Sequence, residues 1–195
     1  MMDRIIGAFT FRKEVYREVE DDASFTPTAW MIVAVVAFLS QLGSNAAAAQ
    51  VIGGKWIFGA LGGTVFAIIG FALGAFVISW AGKTFFNADV TFEEMVRTLG
   101  LAYVWNVIGF LGIVALAGPA LGCITAPISL AAGIAGLVAW FVAAKEALDL
   151  EWPQTIGTVI IGWVVSLVVS LIAGAILGLF GLAGAGIGAA LRGIR

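Results

Sequence analysis

The sequence contains no histidine and a single cysteine, Cys123, among its 195 residues. A disulfide needs two cysteines, and Cys/His zinc sites and histidine-ligated haem or chlorophyll need ligands that are missing here, so all three are excluded. Charge is also scarce, since Asp, Glu, Lys and Arg make up 11% of the chain and none lies between Arg97 and Lys145. A proton relay or ion site inside a membrane normally uses carboxylates, so the sequence argues against a pump or an ion-coupled transporter.

Hydrophobic residues are abundant instead, at 62% of the chain, and the mean hydropathy is +1.08. A soluble domain of this size could not bury so much apolar surface, which places the chain among the polytopic membrane proteins. About 20 apolar residues cross the hydrocarbon core of a bilayer as a helix. We predict an all-α bundle of five transmembrane helices, at about 27–49, 56–80, 99–117, 121–144 and 153–182.

Two of these spans begin with helix-start signals. In SFTPTAW, Thr26 is a candidate N-cap with Pro27 at the first helical position. In VTFEEMV, Thr91 and Glu94 form a capping-box pattern. A helix is therefore expected to start before the third span, in the polar zone of the membrane.

The fifth segment is longer than a membrane span requires. From Ile156 to Leu191 a straight helix would reach about 54 Å, against about 30 Å for the hydrocarbon core. Its last part, GLFGLAGAGIGAALRG, is rich in glycine and has no polar cover. Within a membrane domain over 27–195, we expect a Gly-rich C-terminal extension that bends, breaks or extends against another protein.

The positive charges predict the orientation of the bundle, because Lys and Arg are enriched in cytoplasmic loops. With five spans, seven of the ten Lys and Arg residues fall on the side of the N-terminus and three on the other side. We therefore expect the N-terminus in the cytoplasm and the C-terminus outside.

Residues 1–26 form a charged segment in front of the first span. Phe11, Val15 and Val19 are spaced four apart and make an apolar stripe, with charged residues opposite. The segment is predicted to be a cytoplasmic amphipathic helix that lies in the membrane interface and fixes the topology. A docking surface for a cytoplasmic partner is the alternative.

Small residues recur at every fourth position on two of the predicted spans. Such spacing allows two helix backbones to approach closely in a membrane. We predict that these residues pack helices within the bundle or, alternatively, form an interface with another membrane protein or a second copy. They are Gly59, Gly63, Gly70 and Gly74 on the second span and Gly162, Ser166, Ser170, Gly174 and Gly178 on the fifth.

A few uncharged polar side chains lie inside the spans, among them Gln41 and Asn45, one turn apart, and Asn106. Hydrogen bonding between helices is their expected role. The alternative is a polar path through a small permease or flippase. No acid–base pair, Ser/His grouping or phosphate loop is present, so no catalytic residue, metal site or cofactor is predicted.

Three stretches carry a family resemblance: FTFRKEVYREVEDD before the first span, TFEEMVRTLGLAYVWNVIGFLG entering the third, and WFVAAKEALDLEWPQTIGTVIIGWVVSLVV across the fourth and fifth. In order and spacing they resemble bacterial members of the YIP family, the Ypt/Rab-interacting membrane proteins. The resemblance implies five spans with the N-terminus cytoplasmic and the C-terminus outside, and a prokaryotic cytoplasmic membrane. Eukaryotic relatives look like adaptors that bind Rab GTPases in vesicle traffic. For prokaryotic relatives the resemblance implies no agreed activity, and it assigns no partner-binding residue.

The sequence therefore favours a non-enzymatic membrane scaffold or accessory subunit. Its expected partners are the lipid bilayer and either another membrane protein or a second copy, with no nucleic acid and no histidine-ligated haem or chlorophyll. Two alternatives stay open. One is a small permease or flippase that uses Gln41, Asn45 and Asn106, and the other is a membrane-shaping or trafficking-type adaptor that uses the amphipathic opening.

Overall fold

The computed structural model describes residues 1–46, 53–118 and 122–165, together with the single residues Ala49 and Val168. These ranges are helical, and the part of the chain so described contains no strand. A 3-10 turn precedes α3 at Ala23–Phe25, another precedes α4 at Gly53–Lys55, and a 3-10 helix over Tyr103–Ala117 continues α5. In chain order the helices are α1 (Met2–Phe9), α2 (Lys13–Asp21), α3 (Thr26–Asn45), α4 (Trp56–Phe86), α5 (Phe92–Ala102), α6 (Gly122–Leu148) and α7 (Trp152–Val165).

The long helices confirm the predicted all-α polytopic membrane bundle. Four stretches are long and apolar enough to cross a membrane: Ala23–Asn45, Trp56–Phe86, Phe92–Ala117 and Thr125–Leu148. Helix α7 is a shorter apolar helix that covers the first part of the predicted fifth span. Apart from Val168, the rest of that span and the Gly-rich extension lie outside the described residues.

Local sequence signals explain where the helices start. Pro27 occupies the first turn of α3, where its missing N–H costs no hydrogen bond. The capping box at α5 is confirmed, because the Thr91 N–H donates to Glu94 Oε2 at 2.6 Å and the Glu94 N–H donates to Thr91 Oγ1 at 3.2 Å. Helix α5 therefore starts at Phe92, about two turns before Leu99, where the predicted third span begins.

The 3-10 geometry of Tyr103–Ala117 changes which side chains share a face. With about 2.0 Å of rise per residue, the segment is about 30 Å long, which matches the hydrocarbon core. Three residues per turn align positions i and i+3, so Asn106, Gly109 and Gly112 form one row. This row brings the backbone of the 3-10 helix against α3, where a Cβ on Gly43 would collide with the carbonyl oxygen of Gly109.

The hydrophobic core lies at the end of the bundle where α1 and α2 sit. Helix α5 is its centre, since every residue from Met95 to Ala102 is buried. Tyr16 from α2, Ile78 from α4 and Leu148 from α6 are fully buried there. By contrast, α4 and α6 expose many large apolar side chains elsewhere along their lengths, as expected of helices that face lipid.

Candidate functional site

The charged N-terminal segment forms two helices rather than one. Helix α1 ends at Phe9 and α2 starts at Lys13, and Phe11 between them has a φ of 56°. A positive φ is unfavourable for a residue with a side chain and breaks the helix at this point. We call α1 and α2 together (Met2–Asp21) the N-terminal cap.

The apolar side of α2 is covered by the chain itself. Val15 and Val19, predicted to form an interfacial stripe, are buried, and Tyr16 between them is fully buried. Burial raises the pKa of the Tyr16 hydroxyl. Phe11, the third member of the stripe, is partly exposed and stacks on Trp105 with 5.3 Å between ring centroids.

Arg97 of α5 holds the C-terminal end of α2. Its side chain is buried, at 6% exposure. Nε donates to the carbonyl oxygens of Val19 at 2.9 Å and Glu20 at 3.0 Å, Nη1 donates to Thr26 Oγ1 at 3.3 Å, and Nη2 donates to Glu20 O. The last turn of α2 contains no basic residue, so Arg97 supplies the positive charge that a helix C-terminus favours.

Ion pairs also hold the N-terminal cap in place. Arg4 of α1 bonds Glu18 of α2 at 2.7 Å and Asp22, directly after α2, at 2.8 Å. The pKa of Asp22 is lowered by its hydrogen bonds to Ser24 and Arg4. Between elements, Arg17 of α2 bonds Glu146 of α6 at 2.8 Å. Since Glu146 is buried, Arg17 neutralises a carboxylate that is largely removed from water.

Glu20 sits at the acidic edge of this cap. The pKa of its carboxyl is raised from the ordinary 4.5 to about 7. Burial is the main cause, the negative charges of Asp149, Glu94 and Asp21 add to it, and Arg17 partly opposes it. The cap therefore contains a group that changes charge near neutral pH. No group of three or more Cys, Asp or Glu in the described ranges could hold a metal ion.

The predicted polar pair, Gln41 and Asn45, packs against two of the predicted packing glycines, Gly59 and Gly63, where α3 contacts α4. The Asn45 side chain donates to the Gln41 carbonyl oxygen at 2.9 Å and to Gln41 Oε1 at 3.2 Å. A Cβ on Gly59 would lie 3.2 Å from Asn45 Oδ1, and one on Gly63 would collide with Gln41 Oε1. The two glycines thus provide the space in which the two polar side chains pack.

Asn106 lies apart from this pair. Its Nδ2 donates to the Tyr103 carbonyl oxygen at 3.2 Å, and it lines a cavity beside α6. Gln41 and Asn45 face α4 instead. Within the described residues, Asn106 and the pair of Gln41 and Asn45 therefore make different contacts.

The remaining small residues differ in their surroundings. A Cβ on Gly74 would lie 3.6 Å from Trp140 of α6, and one on Gly162 would lie 2.6 Å from Ile78 of α4. Gly70 is exposed and has nothing within 4 Å of such a Cβ in the described ranges. Ser166, Ser170, Gly174 and Gly178 lie outside the described residues.

Sequence reasoning missed the closest helix contact and the principal cap residue. Gly43, Gly109 and Gly112 let α3 touch the 3-10 helix, where a Cβ on Gly112 would lie 2.6 Å from the Gly43 carbonyl oxygen. The spacing of three between Gly109 and Gly112 is a signal for 3-10 packing, whereas the small residues predicted to pack were spaced four apart, as in an α-helix. Arg97 carried no signal beyond its charge.

Helices of this length and apolarity, closed at one end by an amphipathic cap, define a polytopic α-helical membrane protein. A family model, the Yip1 domain, matches residues 6–174. The match covers most of the chain, so the protein belongs to the Yip1 domain family, and the resemblance found in the sequence is confirmed. No curated protein and no solved structure matches the chain.

Proposed function

We propose that the protein is a non-enzymatic integral membrane scaffold or accessory subunit that associates with another membrane protein or with a second copy of itself. Yip family proteins interact with other proteins, and the family is not known as enzymatic. The physical support comes from one face of α4. We call it the open glycine face and define it by Gly62, Phe66 and Gly70.

The open glycine face consists of two glycines that flank a large aromatic ring. The three residues are spaced four apart and therefore lie in one line along α4. Phe66 is 57% exposed, and within the described residues nothing lies within 4 Å of a Cβ placed on Gly62 or Gly70. A glycine inside a helix costs about 1 kcal/mol relative to alanine. A helix that packs against these glycines would offset this cost.

The contrast with the other glycines carries the proposal. A Cβ placed on Gly59, Gly63 or Gly74 would meet a side chain of this chain, namely Asn45, Gln41 or Trp140. Gly62 and Gly70 have no such cover in the described ranges. Small residues at a membrane interface let backbones approach and gain dispersion contacts that lipid does not provide.

The test is affinity purification of the protein from native membranes in mild detergent. We expect the wild type to retain a membrane protein or to run as a dimer, and the double variant Gly62→Ile, Gly70→Ile to run alone as a monomer. Ala131→Ile adds similar bulk to an exposed position of α6 and is the matched control. A monomeric wild type with nothing attached contradicts the proposal.

A cysteine cross-link distinguishes the two kinds of partner. Cys123 is the single cysteine of the sequence, so Gly70→Cys in a Cys123→Ser background places one thiol on the open glycine face. A covalent dimer on oxidation identifies a second copy as the occupant. A cross-link to a protein of different mass identifies another membrane protein.

Membrane shaping is a second candidate function, and α1 favours it. Met1, Met2 and Ile6 are 63%, 71% and 53% exposed, so α1 presents apolar side chains outside the protein core. Such a surface can insert at a membrane interface. Ile6→Glu is expected to abolish remodelling of liposomes while the bundle still inserts, and remodelling at the wild-type level would exclude this function.

A further inference from the structure

We propose that the cavity between the 3-10 helix and α6 binds the polar part of a neutral amphiphile that carries carbonyl or hydroxyl oxygens. The cavity has a volume of about 310 Å³. Small-molecule sites in proteins range from about 300 to 1,000 Å³. The cavity is separate from the open glycine face, so the two proposals stand or fall independently.

The chemistry of the wall selects a neutral ligand with hydrogen-bonding oxygens. Among the described residues the lining combines three small polar side chains with three aromatic ones and contains no charged group. They are Ser40, Asn106, Ser129, Tyr103, Trp105 and Trp140. A charged ligand would lose its hydration here and find no countercharge. An uncharged ligand with an apolar body fits both halves of the lining.

Asn106 gives the clearest need for an occupant. It is exposed within a span, and its Nδ2 donates to the Tyr103 carbonyl oxygen, which uses one of the two amide hydrogens. Within the described residues no hydrogen bond uses the amide oxygen or the second hydrogen, and Asn106 lines the cavity. Polar groups that face hydrocarbon are costly unless they are paired, so an occupant with its own polar oxygens is favoured over an acyl chain.

Trp140 contributes an apolar ring to the cavity wall. Its Nε1 is buried and has no hydrogen-bond partner in the described part of the chain, but a buried atom is not reached from the cavity. The ring therefore offers the occupant an apolar contact, and Asn106 offers the hydrogen bonds.

The shape of the cavity indicates how the ligand lies. On α6 the lining extends from Ser129 to Trp140, which is about 16 Å along the helix. The volume is too small for a whole lipid but accommodates a head and the first carbons of its chains. Leu137 lines the cavity and is also 41% exposed. The chains can therefore continue along the lipid-facing side of α6.

A larger side chain at Gly133 can fill the cavity without disturbing the packing of the bundle. It lines the cavity, and nothing in the described residues lies within 4 Å of a Cβ placed on it. Gly133→Leu therefore fills the space with little steric conflict. Ala131→Leu places the same side chain at an exposed position of α6 outside the lining and is the matched control.

The experiment is native mass spectrometry of the full chain, released from detergent after incubation with one of three probes. The probes are dioleoylglycerol, a prenylated quinone and anionic dioleoylphosphatidylglycerol. Dioleoylglycerol and the quinone both carry neutral oxygen acceptors. Because each is incubated separately, the experiment shows which of the two the cavity binds. Equal thermal midpoints of the variants and the wild type establish that each variant is folded.

We expect the wild type and Ala131→Leu to retain a neutral probe in preference to the anionic lipid, and Gly133→Leu to lose it. Asn106→Leu removes a hydrogen bond and is expected to weaken binding about two- to tenfold. Equal retention by Gly133→Leu and the wild type overturns the proposal. So does a wild type that prefers the anionic lipid or retains no neutral probe.

Discussion

The contact of Arg97 with the N-terminal cap makes the most direct prediction about stability. The guanidinium donates to the carbonyl oxygens of Val19 and Glu20, which belong to the last turn of α2. The last carbonyls of a helix have no partner within that helix. In Arg97→Met these two carbonyls stay buried without a donor, or the cap opens so that water can reach them.

The magnitude follows from the number of groups left unpaired. A buried polar group without a partner costs about 1–3 kcal/mol, and a favourable charge at a helix terminus contributes about 0.3–1 kcal/mol. Two carbonyls and one terminal charge give a loss of about 2–7 kcal/mol for docking of the cap. A loss of 3 kcal/mol corresponds to a rise of about 150-fold in the population with the cap undocked.

Limited trypsin digestion measures this population, because Arg12, Lys13 and Arg17 lie in the cap. When opening is fast relative to cleavage, the cleavage rate is proportional to the open fraction. We expect at least about tenfold faster cleavage in Arg97→Met and an intermediate rate in Arg97→Lys, which keeps the charge but loses the planar fork of donors. Lys83→Met, at an exposed position of α4, is the matched control. A cleavage rate in Arg97→Met equal to that of the control refutes the assigned role.

Two further predictions concern the cap and the α3–α4 contact. The pKa of Glu20 is raised from 4.5 to about 7. Between these pH values the folded state therefore holds a proton that the unfolded state has released. The resulting contribution to stability is complete below pH 4.5 and is lost as the pH rises through 7. Denaturation midpoints measured from pH 5 to pH 8 should therefore fall less in Glu20→Gln than in the wild type, and parallel curves would contradict the assignment. Gly63→Leu forces the Gln41 side chain to move and is expected to destabilise the purified protein by about 1–3 kcal/mol, whereas Ala131→Leu adds its bulk at an exposed position of α6 and is the matched control. Similar thermal midpoints for these two variants would show that Gly63 is not a packing site.

Length, apolarity and helix-start chemistry were enough to predict most helices from the sequence. All four spanning helices overlap a predicted span, and the capping box of Thr91 and Glu94 starts α5. These features depend on neighbours in sequence. The amphipathic pattern is interrupted at Arg12, but it does not predict the positive φ of Phe11, where α1 has ended and α2 has not yet begun.

The contacts of the candidate site depended on information that periodicity does not contain. The pair Gln41 and Asn45 and the pair Gly59 and Gly63 each stood out in the sequence. The sequence does not show that Gln41 and Asn45 pack against Gly59 and Gly63, because this contact depends on the axial offset between α3 and α4. Arg97 was counted only as a positive charge between two spans, because its acceptors lie 77 and 78 residues away in sequence.

These long sequence separations have a consequence for biosynthesis. The ribosome makes the N-terminal cap first, but Arg17 must wait for Glu146, which lies 129 residues later. At about 5–20 residues per second, that delay is on the order of ten seconds. For this interval Val15, Tyr16 and Val19 lack the helices that later cover them, and the adjacent membrane surface is the natural shelter for an amphipathic segment. Insertion of α5 and α6 then draws the cap from lipid onto protein, which makes its docking a late step in assembly of the bundle.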